Sequence, residues 1–124
     1  PTLLRAAGLS DQAQAGLDGV DFTALLQNPD ATLKREALYF HYPHYYQTTT
    51  PVSALRKGDW KLLEYYEDNR LELFNLKQDP GETQDISTAN PALARRLRME
   101  LDVWRKKIGA QLPEPNPDWK PRRK

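Results

Sequence analysis

Between residues 36 and 76 the chain carries four short runs rich in aromatic and branched residues, separated by segments too short or too polar to continue a helix. The first, EALYFHY, stops at Pro43, a residue that cannot donate to a strand ladder. VSALRKG spans residues 52 to 58. WKLLEYYE follows a Gly58-Asp59 turn, and RLELFNL follows an Asp68-Asn69 turn. Both dipeptides suit two-residue hairpins, where positive φ is needed and Gly or Asn supplies it at low steric cost. The last three runs therefore predict an antiparallel meander, with the first run on an edge.

The pattern then changes period. KQDPGETQDISTA, residues 77 to 89, reads as a turn-rich connector, and Asn90-Pro91 as N-cap and first-turn proline of a helix. Leu93, Leu97, Leu101, Trp104 and Ile108 form one apolar stripe over about five turns, closed by Gly109. A small antiparallel sheet of about four strands packed against one long C-terminal helix is an α+β module. Ahead of it, PTLLRAAG reads as a short helix stopped by Gly8. LSDQAQAGLDGVD reads as a polar loop whose Asp21 caps a second short helix, FTALLQN. The tail QLPEPNPDWKPRRK, with four prolines, reads as extended. The expected organisation is a leading segment 1–30, an α+β subdomain 31–112 and a proline-rich basic tail 113–124.

Composition narrows the function classes. Hydrophobic residues make up 39% and charged residues 28%, enough for a modest core. A net charge of +1 gives no field aimed at nucleic acid. With no cysteine, disulfides and thiolate metal sites are excluded. No apolar run approaches the ~18 residues of a membrane span. The only methionine is Met99 and the chain opens at Pro1, so a processed product or a piece of a longer polypeptide is expected.

Most motifs that look chemical have plainer readings. Asp68-Asn69 suits a hairpin turn. Asp79-Pro80-Gly81-Glu82 lacks the alternating oxygen ligands and closing Glu of a calcium loop. Ser53 lies mid-strand with no basic residue nearby in sequence, which argues against a nucleophile. Lys120, Arg122, Arg123 and Lys124 suit a solvated terminus. FHYPHYY, residues 40 to 46, is different: it holds both histidines and three of the six tyrosines. Imidazole hydrogen-bonds and titrates near neutrality, and tyrosine offers a flat face with a hydroxyl. A loop after a strand is where such groups form sites. The residues alone leave ligand contact and simple packing both open.

The ordered blocks HYPHYY, SALRKGDWKLLEYYEDNRLELFNLKQDPGETQDIS, the helix with Trp104, and PNPDW resemble the C-terminal subdomain of the type I sulfatases, the formylglycine-dependent, arylsulfatase-like family of the alkaline phosphatase superfamily. PTLLRAAGL and GLDGVDFTALLQ resemble the passage that closes the family's catalytic domain, so the likeness runs over about residues 1 to 118. It implies that residues 1–30 close a catalytic domain absent from this chain, which is then a partner. It implies hydrolysis of sulfate esters by the whole enzyme, with calcium and formylglycine as its cofactors and a sulfated sugar or aryl sulfate as substrate. It also implies a periplasmic or secreted location. The nucleophile motif is not in this chain: there is no cysteine, and Ser10, Ser53 and Ser87 do not begin the required pattern. Asp68-Asn69 does not match the family's metal-binding pair. The chain alone is therefore expected to bind no cofactor, to be inactive, and to expose Leu3, Leu4, Phe22, Leu25 and Leu26, with self-association or disorder near the N-terminus as the consequence. His44, His41, Tyr45 and Tyr46 are the expected substrate-binding residues, because the family segment lies near the mouth of the cleft. No catalytic or metal-binding residue, nucleic-acid partner or membrane partner is expected in the chain. The alternatives are a stand-alone binding module, or a fragment of a related phosphate-ester hydrolase.

Overall fold

Alternation along the four runs gives each strand one face of leucines and aromatics and one more mixed face, and the computed structural model folds them accordingly. It describes residues 1–9 and 16–119, so Ser10 and the basic residues 120–124 lie outside the described residues. Contacts divide the chain into two compact units, Pro1–Glu36 and Ala37–Lys124.

In the first unit, α1 (Thr2–Ala6) and α2 (Thr23–Gln27) are single short helices. Gly8 adopts φ +75°, a left-handed conformation open to glycine, just past the end of α1. The N-cap of α2 is Phe22 rather than Asp21; Asp21 stands one residue earlier, and its Oδ1 accepts from the Thr23 N–H at 2.9 Å. Its other oxygen pairs with Arg5 at 2.7 Å. These bonds hold the Asp21 carboxyl down at about 2, from an ordinary 3.8, with the Thr23 hydroxyl the largest cause.

The second unit is the α+β module. Strands β1 (Ala37–Tyr42), β2 (Val52–Lys57), β3 (Trp60–Tyr65) and β4 (Leu71–Asn75) form one antiparallel sheet in that order. Gly58, at φ +56°, makes the β2–β3 turn and pairs Lys57 with Trp60. The β3–β4 connection differs from the expected two-residue turn. Tyr65 N–H donates to the Arg70 carbonyl at 2.9 Å, so residues 66–69 form the turn, with Asn69 at φ +57°. The longer turn arises because the Tyr66 N–H bonds to the Pro51 carbonyl at 3.0 Å, which keeps Tyr66 beside β2.

Helix α3 (Pro91–Ile108) lies on one face of this sheet. Leu97, Leu101 and Ala94 pack with Leu55, Leu62 and Leu73 as the buried core. Each buried leucine contributes roughly 1.5–3 kcal/mol over an exposed one. Trp104 is half-buried and stacks on Tyr39, with centroids 5.0 Å apart and planes 10° from parallel. Gly109 ends the helix at φ +63°. One expectation for α3 changes. Ile108 is 52% exposed, one turn beyond the sheet, and does not join the stripe. Asn90 is the N-cap as expected, followed by Pro91, though without a side-chain cap bond; its Nδ2 donates to the Ile86 carbonyl at 3.2 Å. Arg105, a charged residue, occupies the buried face. The sheet's other face carries Leu38, Phe40, Ala54, Leu63 and Phe74, and Phe40 remains 57% exposed.

Candidate functional site

Pro43 ends β1, and the chain reverses at once. Tyr46 N–H donates to the Thr49 carbonyl at 2.9 Å and Thr49 N–H returns the bond at 3.3 Å. This small bridge holds residues 44–46 outward. His44 is exposed and sits edge-on to the Tyr42 ring, with centroids 5.6 Å apart. Tyr46 is exposed, and Tyr45 is 69% exposed. The Tyr45 hydroxyl donates to Glu67 Oε1 at 3.2 Å. That bond to a carboxylate raises the phenol above its ordinary value of 10.0, so Tyr45 stays a hydrogen-bond donor across the neutral range.

Strand alternation separates the two histidines. His41 faces α3, on the opposite side of the sheet from Tyr42. Its Nε2 lies 2.7 Å from the Gln111 carbonyl, which can only accept, so the hydrogen is on Nε2. Its Nδ1 lies 2.8 Å from Ser53 Oγ and 3.2 Å from the Tyr66 hydroxyl. Tyr66 and Ser53 are 2.6 Å apart, and Arg105 Nη1 donates to the Tyr66 hydroxyl at 2.6 Å. One direction of donation satisfies every member: Arg105 to Tyr66, Tyr66 to Ser53, Ser53 to His41, His41 to Gln111. A serine beside an imidazole looks like a nucleophile and its base. Here the Ser53 hydroxyl is buried and shared with Tyr66, so no substrate atom can approach it.

Arg105 anchors that chain. Both it, at 7% exposure, and Glu64, at 3%, are buried. Arg105 Nη2 lies 2.7 Å from Glu64 Oε2. The N–H does not point along that line, so Oε2 is charge-compensated without a directed hydrogen bond. Arg98 Nε donates to Glu64 Oε1 at 2.7 Å, and Asp102 also binds Arg105. Burial by itself would lower the guanidinium's affinity for its proton; the bonds to Asp102 and Tyr66 and the charge of Glu64 outweigh it and raise it.

The other candidate motifs are turns. Asp79 accepts from the Thr83 and Gln84 N–H groups at 2.8 and 2.9 Å, bonds that lower its carboxyl, the Gln84 bond most. Asp68 accepts from the Arg70 N–H at 3.0 Å, and Ser87 bonds to Asp85. Among the described residues no three His, Asp or Glu side chains gather where one ion could sit. Sequence reasoning missed Ser53, Tyr66 and Gln111 as partners of His41, Arg105 as partner of Tyr66, and Glu67 as partner of Tyr45. Only the β1–β2 register, which places His41 opposite Ser53, would have suggested the first of these.

The family described as N-sulphoglucosamine sulphohydrolase, C-terminal, matches residues 1–107. A sulfatase of Formosa agariphila is 31% identical over 118 residues, covering 84% of this chain and 21% of the relative. The chain thus spans about a fifth of that protein's length. Among solved structures, BT4656 in complex with its substrate D-glucosamine-2-N,6-O-disulfate is 25% identical, with a TM-score of 0.67 over 88% of this chain and 23% of that one. The 2-O GAG sulfatase BT1596 is 23% identical, with a TM-score of 0.73 over 89% of this chain and 24% of that one, a likeness of fold.

Proposed function

Because the chain belongs to the N-sulphoglucosamine sulphohydrolase C-terminal family, we propose that it is the closing part of an enzyme hydrolysing sulfate esters of sugars. In this reading it packs on the catalytic domain and shapes the mouth of the substrate pocket. The packing role is supported by the sheet face opposite α3, where Phe40 stands 57% exposed among Leu38, Ala54 and Leu63. Leu3 and Leu26 are likewise exposed in the first unit. Such apolar surface suits an interface. Calcium and formylglycine would be held by residues outside this chain, and no chemical step is assigned to it.

The observation that carries the pocket role is the loop itself. His44, Tyr45 and Tyr46 are held outward, in sequence order, by a bridge that closes immediately behind them. Imidazole and phenol groups match the hydroxyl and sulfate oxygens of a sugar. His41, with both ring nitrogens engaged inside the unit, sets the position of β1 beneath the loop.

The test uses the longer protein that contains this chain. D-glucosamine carrying 2-N- and 6-O-sulfate is the first substrate to try, since a structure similar to this chain binds it. His44→Ala should raise KM for that sugar several-fold and affect a small aryl sulfate less. Unchanged kinetics on both, with lowered stability, would make the loop purely structural. The chain alone should not turn over an aryl sulfate; turnover above buffer with calcium present would contradict the division of labour.

A further inference from the structure

Tyr45 of the aromatic loop also lines a groove shared with the carboxyl-terminal tail. Two adjoining hollows, of about 300 and 530 Å³, share Tyr45, Glu67, Glu114 and Pro115. These volumes lie within the ~300–1,000 Å³ of small-molecule sites. We propose that this groove binds a non-sulfated sugar ring, neutral or carrying an ammonium, next to the sulfated unit that the enzyme attacks. The proposal rests on the sulfatase reading and names the part of the substrate this chain would hold.

The chemistry of the walls selects that ligand. Tyr45 and Trp119 are each 69% exposed and line the groove, offering flat apolar faces for the C–H side of a pyranose. Glu67 and Glu114 supply carboxylates, which only accept hydrogen bonds. Tyr45 occupies Glu67 Oε1, leaving the second oxygen of that carboxylate for a donor on the ligand. Among the described lining residues there is no Lys, Arg or His. Among the described lining residues a sulfate would meet two carboxylates and no counter-charge, whereas hydroxyl or ammonium hydrogens complement them.

Hydrogen bonds hold one lining residue and the start of the tail in place. Tyr66, at the groove floor, is held by Arg105 and Ser53. The tail is held by His41 at the Gln111 carbonyl, two residues before Pro113. Pro113 and Pro115 restrict the backbone that follows. A site ordered in advance loses little entropy on binding. The donor chain from Arg105 to Gln111, whose last link is exposed, ties the tail to the sheet beside the groove.

The experiment takes the longer protein, a sulfated disaccharide whose second ring is unsulfated, and a small aryl sulfate. Trp119→Ala should lower the ratio of kcat/KM for the disaccharide to that for the aryl sulfate about two- to tenfold, with Trp119→Phe restoring most of it. Glu67→Gln with Glu114→Gln should lower the same ratio for an ammonium-bearing second ring. Saturation-transfer NMR with the unsulfated disaccharide alone should place the sugar on aromatic protons that disappear in Trp119→Ala. An unchanged ratio with no saturation transfer overturns the proposal, as does preferential binding of a sulfated second ring. Failure of the unsubstituted protein to hydrolyse any sulfate ester overturns the sulfatase reading instead, and the NMR measurement then decides the groove by itself.

Discussion

Replacing Arg105 by Met should be among the most damaging single changes in the α+β unit. The side chain is 7% exposed and lies against Glu64, which is 3% exposed. Arg105 contributes an ion contact of 2.7 Å to Glu64 Oε2 and a bond of 2.6 Å to Tyr66, besides its contact with Asp102. Methionine preserves much of the apolar stem, so the loss is mainly electrostatic. Glu64 would keep only Arg98, which is partly solvated, on its other oxygen. Leaving a buried charge with half its compensation costs about 3–5 kcal/mol. Tyr66 would also lose the donor that starts the chain to His41. The diagnostic comparison is with the double variant Glu64→Met, Arg105→Met. With both charges gone there is nothing buried to compensate, and the double variant should be more stable than Arg105→Met alone. Urea denaturation followed by tryptophan fluorescence measures each midpoint, with a constant slope confirming that the unfolding reaction is unchanged. Arg105→Lys provides a milder perturbation should the methionine variant not fold; it keeps the charge but cannot reach Glu64, Asp102 and Tyr66 together. A loss under about 0.5 kcal/mol for Arg105→Met, or a double variant costing the sum of the singles, would refute the reasoning.

The two tryptophans at the helix and tail should rank clearly. Trp104→Ala removes a half-buried ring stacked on Tyr39 and should cost about 2–4 kcal/mol, while Trp119→Ala should stay within about 0.5 kcal/mol; the reverse order in chemical denaturation would contradict the packing. The first unit should be acid-sensitive through Asp21. Its folded value, about 2, lies below the ordinary 3.8, so its contribution is present above about 3.8 and lost as pH falls toward 2. The Thr23 amide NMR signal should shift through that window, and Asp21→Asn should abolish the shift.

Several parts of the fold were legible because their causes are local. Gly58 can adopt the left-handed conformation of a tight turn, so the β2–β3 register follows from a few residues, and with it Ser53 opposite Glu64. Pro91 at the start and Gly109 at the end bound α3, and Leu97 and Leu101 fall on its buried face by periodicity alone. The outward aromatic loop was legible for the same reason: Pro43 stops the ladder and a polar segment follows. The remainder depends on contacts between distant residues. Residues 43–51 impose no register of their own, so only packing of the whole sheet places His41 opposite Ser53. Nothing near Arg105 in sequence marks it for burial; the sheet does so by presenting Glu64 against it. The tail reads as extended chain, and nothing near Gln111 announces that its carbonyl accepts from His41, 70 residues earlier. The sequence by itself determined the elements, one strand register and the display of the loop, since turn and cap conformations are settled within a few residues. The tertiary structure alone decided the hydrogen-bond chain and the groove beside it, because a buried charge such as Arg105 or Glu64 is stable only where distant residues supply its partners.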